Sequence, residues 1–159
     1  MAQAAMIAAL YIVLTFVANA FGLANYAVQV RFSEALTILP YFTPAAIPGL
    51  YIGCLLSNIL TGCALPDIVF GSLATLLGAL GTYALRRWKW CAPLPPILAN
   101  TLIVPLVLIY GYGLAVEGLS TLQCYGFYCL TVGAGEVISC GILGMILLAI
   151  LEKYKGRIF

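Results

Sequence analysis

Residues 4–21, AAMIAALYIVLTFVANAF, carry no charged side chain. A helix needs about 20 predominantly apolar residues to cross the hydrocarbon core of a bilayer, and this stretch comes close to that length. Three further uncharged stretches, at 45–65, 68–85 and 97–116, have the same character. Because backbone polar groups inside a bilayer must be paired within the protein, these stretches are predicted to be transmembrane helices.

The composition also indicates a membrane protein. Hydrophobic residues make up 64% and charged residues 8% of the 159 residues, whereas soluble domains carry roughly a quarter charged residues. The apolar runs lack the period-2 alternation of a membrane β-barrel. A net charge of +2 gives no basic surface for nucleic acid. We therefore expect one all-α integral membrane domain over residues 1–159, embedded in the lipid bilayer.

Six helices are predicted, and the charge-free stretch 35–66 is divided between two of them. As one helix it would be about 48 Å long at 1.5 Å per residue, against a hydrocarbon core of roughly 30 Å. Three prolines interrupt it, and the break is placed at PYFTP, residues 40–44. The predicted helices are 4–21, 33–42, 45–61, 67–85, 97–112 and 130–153.

Two clusters of basic residues follow predicted helices that end on the same side of the membrane. The positive-inside rule makes that side cytoplasmic, and with six spans the N-terminus and the C-terminus lie there too. The connections 22–32, 62–66 and 113–129 are then expected on the outer side. The basic residues of the two clusters are Arg86, Arg87, Lys89, Lys153, Lys155 and Arg157.

Glu136 lies in GAGEVISCG, within an otherwise apolar predicted helix. An ionisable group at membrane depth costs a few kcal/mol or more unless it faces a polar cavity or a partner. Gly133, Gly135 and Gly141 would let a ligand or another backbone approach closely. Two interpretations remain open: a ligand contact, or a carboxylate at the outer interface that is satisfied by Arg31 or water.

Four other polar residues are candidates for the same site, and each has a structural alternative. Arg31 and Glu34 of the RFSE segment either contact a ligand or have a structural role. In the structural role, Ser33 caps the second helix while Glu34 complements its dipole, or Arg31 and Glu34 form an ion pair. Asp67, after Pro66, either begins a helix or contacts a ligand. Asn100 either bonds a neighbouring helix or offers its amide to a planar heterocycle.

Aromatic residues before Glu136 form a further candidate group. Tyr128, with Tyr125 and Phe127, is placed either to stack on a ligand ring or to lie at the membrane interface, where aromatic residues are common.

Small residues on the first predicted helix favour close helix packing. Ala4 and Ala8, and likewise Ala5 and Ala9, form small-xxx-small pairs, which let helices approach closely in lipid. These pairs are predicted to lie along one face.

Neither a metal site nor enzyme chemistry is expected. The chain has no histidine, and its six cysteines form no C-x-x-C pair, so they are interpreted as small apolar residues. Cys124 and Cys129, which share a predicted loop, stay open to another role. G-x-S-x-G and P-loop motifs are absent.

Four stretches of the sequence carry a specific resemblance: RFSEALTILPYFTPAAIPGLYIGC at 31–54, DIVFGSLATLLGALGTYALRR at 67–87, APLPPILAN at 92–100 and GAGE at 133–136. They resemble the QueT family, S-components of energy-coupling factor transporters that are assigned to queuosine precursors. A compact six-helix bundle with an alanine-rich first helix and a long first outer loop also resembles S-components in general.

The resemblance implies a binding subunit that captures a 7-deazaguanine base such as queuine, preQ1 or preQ0 at the outer face. It implies the coupling subunit EcfT and two ATPases as partners, with ATP used by the ATPases and no cofactor in this chain. The implied docking face is Ala4, Ala5, Ala8 and Ala9. The implied ligand residues are Arg31, Glu34, Asp67, Asn100 and Glu136.

Two alternatives stay open. One is an S-component for another vitamin of the riboflavin or thiamine class. The other is a small structural membrane protein without a ligand.

Overall fold

The structure is a computed structural model that describes residues 1–22, 30–114, 116 and 118–158, with side chains described up to 154. Within these ranges the chain forms six helices and no strand. The first helix is Ala2–Ala20, the second is a 3-10 helix at Phe32–Tyr41, and the third is Ala46–Leu60. The predictions of an all-α fold and of six helices are confirmed.

The last three helices each contain a π-helical segment. The fourth helix begins with the π segment Asp67–Gly71 and continues as Ser72–Ala84. A 3-10 turn at Lys89–Cys91 precedes the fifth helix. The fifth helix comprises Leu94–Leu106 and Val107–Gly111, and the sixth comprises Thr121–Glu136, Val137–Leu143 and Gly144–Ile158.

Four of these helices are long and apolar enough to cross a bilayer: Ala2–Ala20, Asp67–Ala84, Lys89–Gly111 and Thr121–Tyr154. The apolar third helix is shorter, and apolar side chains such as Leu98 and Ile142 face outward from the bundle. Exposed apolar side chains on long helices suit contact with lipid. The chain is therefore a multi-pass membrane protein.

The second helix occupies the centre of the bundle. All eight residues from Ser33 to Pro40 are buried, and the helix contacts the first, third, fourth and sixth helices. A 3-10 helix rises about 2.0 Å per residue, so its ten residues extend about 20 Å instead of the 15 Å of an α-helix. Its neighbours separate it from lipid, which is why it carries polar residues.

Two glycines on the third helix allow the first helix to cross it closely. A Cβ atom added to Gly49 would lie 2.7 Å from the carbonyl oxygen of Ala4, and one added to Gly53 would lie 3.1 Å from the Cα atom of Ala8. Small residues at a crossing let two backbones approach. This contact directs Tyr11 into the protein, where its side chain is only 1% exposed.

The sixth helix starts at Thr121, nine residues earlier than predicted. Ser120 and Gln123 form a capping box: Ser120 Oγ accepts from the Gln123 backbone N–H, and Gln123 Oε1 accepts from the Ser120 backbone N–H at 2.9 Å. The placement of Cys124 and Cys129 in a loop is therefore wrong. Both lie on the helix as free thiols.

Contacts at one end of the bundle bring the two basic clusters together. Lys89, before the fifth helix, pairs with Glu152 near the end of the sixth. The hydroxyl of Thr43 also lies 3.4 Å from Gln3 Oε1, so the start of the first helix shares this end. We call it the basic end. Arg31 and Asp67 lie towards the opposite end, at the starts of the second and fourth helices.

Candidate functional site

Three of the predicted site residues meet inside the bundle. Glu34 of the second helix, Asn100 of the fifth and Glu136 of the sixth are 2%, 3% and 7% exposed. Asn100 Nδ2 donates to Glu34 Oε2 at 3.4 Å. A carboxylate oxygen of Glu34, one of Glu136 and the sulfur of Cys140 all lie within 4.8 Å of one another. Three helices thus place two acids and an amide in one polar cluster.

Other side chains hold both acids in place. The Tyr11 hydroxyl donates to Glu34 Oε1, so each oxygen of Glu34 accepts a hydrogen bond. The Cys140 thiol lies 3.2 Å from Glu136 Oε2, one helical turn away, and 3.4 Å from the hydroxyl of Thr37. Hydrogen bonds of this kind reduce the cost of burying a carboxyl group.

Tyr11 and Cys140 belong to the site but were not predicted from the sequence. Tyr11 has a weak signal, because a single tyrosine in an apolar helix is common. Cys140 has a clearer one, since it follows Glu136 by four residues and therefore lies on the same helical face.

A large cavity lies next to this cluster. It has a volume of about 540 Å³ and is lined by residues from several helices; we call it the outer cavity. Ligand pockets commonly have about 300–1,000 Å³. Its polar lining residues are Thr15, Asn19, Arg31, Asn58, Thr61, Asp67 and Tyr112.

A second, nearly closed pocket contains the polar cluster itself. Its volume is about 10 Å³, which is roughly the minimum needed for one water molecule. Arg31 and Val104 line both this deep pocket and the outer cavity, so they form part of the boundary between the two. The remaining lining residues of the deep pocket are Glu34, Gly71, Asn100, Val132 and Glu136.

Asp67 faces the outer cavity at the start of the fourth helix and is 6% exposed. Tyr112 donates its hydroxyl to Asp67 Oδ2 at 3.1 Å. Partial burial raises the pKa of Tyr112 to about 12, so the phenol keeps its proton at neutral pH and remains a donor. Asn58 Nδ2 donates to the backbone carbonyl of Asp67 at 3.4 Å. Asp67 is therefore fixed at the cavity wall.

Arg31 is anchored through its backbone, not its side chain. Its backbone N–H donates to Ser139 Oγ on the sixth helix at 3.2 Å. Within the described ranges, no carboxylate oxygen lies within 4.0 Å of the guanidinium nitrogens, and no hydrogen bond joins them to another residue. The interpretation of Arg31 and Glu34 as an ion pair is wrong, and Glu136 is not paired with Arg31 either.

The two cavities have an excess of acid. Glu34, Asp67 and Glu136 line them together with one basic residue, Arg31, a formal excess of two negative charges when all four are ionised. Such a lining favours a ligand that offers hydrogen-bond donors or a positive charge, and it disfavours an anion.

Tyr128 does not share this site. It lies on the sixth helix with its ring 5.6 Å from that of Phe127 in an edge-to-face arrangement, and it lines neither cavity.

The four alanines of the first helix do not form one face. Ala8 is buried against Gly53 and Ala4 contacts Gly49, both on the third helix within the same chain. Ala5 and Ala9 are exposed on the outside of the bundle. Of these four alanines, only Ala5 and Ala9 are exposed for contact with another protein.

A metal ion does not suit Glu34, Glu136 and Cys140, although their ligand atoms lie close enough together. Both Glu34 oxygens already accept hydrogen bonds from Tyr11 and Asn100, and the Cys140 thiol is hydrogen-bonded to Glu136. An ion would have to displace all of these bonds.

A multi-pass helical protein with a polar cavity that leads to a buried acid and amide cluster has the architecture of a membrane protein that binds a small molecule. The sequence profile of the QueT transporter family matches residues 1–153, and the chain belongs to that family. The resemblance found in the sequence is thus confirmed, and the family is one of transporters, not of enzymes.

A curated relative from Lactococcus lactis subsp. cremoris (strain MG1363) is described as queuosine precursor transporter QueT. It is 34% identical over 86 residues, which are 54% of this chain and 50% of the relative. The match thus spans about half the length of that protein. No solved structure matches the chain.

Proposed function

We propose that this chain is the substrate-binding subunit, or S-component, of an energy-coupling factor importer for 7-deazaguanine bases such as queuine, preQ1 and preQ0. The observation that carries the proposal is the buried cluster of Glu34, Asn100 and Glu136 beside a cavity of about 540 Å³. The family match and the description of the relative as a queuosine precursor transporter support this ligand class.

The chemistry of the base suits Glu136 more than Glu34. A 7-deazaguanine base presents N1–H and an exocyclic amine, two adjacent donors that one carboxylate can accept. Both oxygens of Glu34 already accept from Tyr11 and Asn100, whereas Glu136 has a contact to the Cys140 thiol at 3.2 Å. Glu136 therefore retains more acceptor capacity for a ligand.

The deep pocket must widen for this contact to form. At about 10 Å³ it does not admit a ring, whereas the outer cavity does. The base would lie in the outer cavity with its hydrogen-bonding edge towards Glu136, and the boundary between the two cavities, at Arg31 and Val104, would open to admit that edge. An aminomethyl substituent would add a positive charge, which the excess of carboxyl groups favours.

Transport requires partners in this proposal. The exposed pair Ala5 and Ala9 on the first helix offers a small-residue face to the coupling subunit EcfT, and two ATPases supply ATP-driven release. Six of the seven basic residues of the sequence lie in the two clusters of the basic end. The positive-inside rule makes that end cytoplasmic and the ligand cavities outward-facing.

Direct binding tests this proposal. Purified protein in detergent or nanodiscs would be titrated with queuine, preQ1, preQ0, riboflavin and thiamine. Saturable binding of the deazaguanine bases alone is expected. Preferential binding of riboflavin or thiamine would assign the chain to a different ligand. If none binds, and if replacing Glu136 and Asn100 with apolar residues of similar size only stabilises the protein, the chain is structural.

A further inference from the structure

Arg31 has hydrogen-bonding capacity that the protein itself leaves unused. A guanidinium group carries five N–H donors and no acceptor. Among the described residues none accepts from those donors, yet Arg31 lines both the outer cavity and the deep pocket. The Arg31 side chain is only partly buried, so its unused donors are accessible from the outer cavity, where a bound ligand can accept from them.

The charges around Arg31 decide what kind of partner fits. A lone guanidinium commonly binds carboxylate or phosphate. Here Asp67 lines the outer cavity, and Glu34 and Glu136 line the deep pocket. Their carboxylates would repel an anionic ligand. A neutral carbonyl oxygen accepts from the guanidinium without that repulsion.

The other donor in the deep pocket is partly in use. Asn100 Nδ2 spends one of its two N–H groups on Glu34 Oε2, whereas the described residues accept from none of the guanidinium donors of Arg31. Besides Asn100, Arg31 is the one side chain with N–H donors in the described lining of this pocket.

A short connection relates Arg31 to Glu136. The Arg31 backbone N–H bonds to Ser139 Oγ at 3.2 Å, and Ser139 follows Glu136 by three residues on the sixth helix. The start of the second helix is thereby held within about one helical turn of Glu136, and both Arg31 and Glu136 line the deep pocket. A lactam edge, with its carbonyl beside its ring N–H, needs that combination.

We propose that Arg31 is a specificity-determining residue that donates to the 6-oxo group of the bound base, while Glu136 accepts from N1–H. The proposal rests on the proposed function, because it assumes a deazaguanine ligand. It goes beyond the sequence prediction, which names Arg31 as a ligand residue without assigning it a ligand atom.

The test compares two ligands that differ at one atom. 7-Deazaguanine and its 6-thio analogue share N1–H and the exocyclic amine, but sulfur is a weak acceptor. Wild-type protein is expected to bind the oxo base about 10-fold more tightly or better, since hydrogen bonds to charged groups contribute roughly that factor. The methionine of Arg31→Met offers no donor, so the affinities of that variant for the oxo and thio bases should differ by no more than about twofold.

The control variant is Arg87→Gln, which removes an exposed positive charge at the basic end and should leave the ratio unchanged. If wild-type protein binds neither base, the proposed function fails. If wild-type protein binds both bases equally, or if folded Arg31→Met keeps the wild-type ratio, the role of Arg31 is overturned while the deazaguanine assignment stands. The wild-type comparison needs no variant, so equal binding of the two bases overturns the role of Arg31 even if Arg31→Met does not fold.

Discussion

The hydroxyl group of Tyr11, on the first helix, donates a hydrogen bond to the carboxylate of Glu34, on the second. Tyr11 lies on the helix whose outer side carries the exposed Ala5 and Ala9. One helix thus supports the polar cluster with its inner side and presents the proposed docking face with its outer side. A displacement of that helix by a partner would act directly on Glu34.

Tyr11→Phe should weaken both stability and ligand binding. The change removes one donor to a buried carboxylate and leaves an acceptor unpaired, at a cost of about 1–3 kcal/mol. Thermal unfolding and ligand titration of the purified variant measure the two effects. Tyr110→Phe is the control, because Tyr110 is 76% exposed on the outside of the bundle. Equal behaviour of the two variants would mean that the Tyr11 hydroxyl has no supporting role.

Glu136→Gln should weaken binding of deazaguanine bases by about 1–3 kcal/mol while the protein stays folded. The amide replaces one acceptor oxygen by a donor, which then opposes the ligand's own donors. Calorimetric titration measures the loss. Glu152→Gln, at the basic end, removes a carboxylate far from both cavities and should not change affinity. Unchanged affinity in folded Glu136→Gln would exclude Glu136 from the site.

A change at the hydrogen-bonding edge of the base should reduce an analogue's ability to compete more than a change in the alkyl substituent does. A 2-desamino analogue leaves acceptor capacity on Glu136 unpaired, whereas one methylene in the substituent changes affinity by only about 1–3 kcal/mol. Displacement of a labelled base measures both analogues. Competition by the 2-desamino analogue at the level of the parent base would show that no carboxylate contacts that edge.

Tryptophan substitutions should distinguish the two alanine pairs. Ala5→Trp or Ala9→Trp is expected to abolish copurification with the coupling subunit and to leave ligand binding intact, because both positions lie outside the bundle. Ala8→Trp is expected to destabilise the protein instead, since Ala8 is buried at the crossing with the third helix. Copurification of all three variants at the wild-type level would exclude this docking face.

Gly53→Ala should lower thermal stability. The new Cβ atom would lie 2.8 Å from the Cβ atom of Tyr11, so the first and third helices must separate, at a cost of about 1–3 kcal/mol. Gly126→Ala is the matched control, because no atom lies within 4 Å of a Cβ atom at that position. A helical Gly→Ala change without a clash is neutral or stabilising. Identical melting temperatures would contradict the tight crossing.

Most helices could be located from the sequence because charged residues and prolines mark the ends of the apolar runs. The 3-10 conformation of the second helix was not, since packing against four neighbours determines it and local sequence does not. The early start of the sixth helix was visible in the pattern Ser120-x-x-Gln123 but was outweighed by the weakly apolar residues after it.

The sequence identified the acidic residues of the site, but it did not show which side chains contact one another. Hydropathy identifies Glu136 because it is an acid in an apolar helix, and it equally identifies Asn100. It does not show how a helix is rotated against its neighbours. For this reason Ala4 and Ala5 look equivalent in the sequence, although one contacts Gly49 on the third helix and the other is exposed.

The enclosed second helix has a consequence for biogenesis. At about 20 Å it is shorter than the hydrocarbon core of roughly 30 Å, and it carries Glu34 and three hydroxyl-bearing side chains, Ser33, Thr37 and Tyr41. Such a segment has no stable position in lipid on its own during synthesis. It is stable in the bilayer only together with the helices that surround it, so the polar cluster forms only when those helices pack around the second helix.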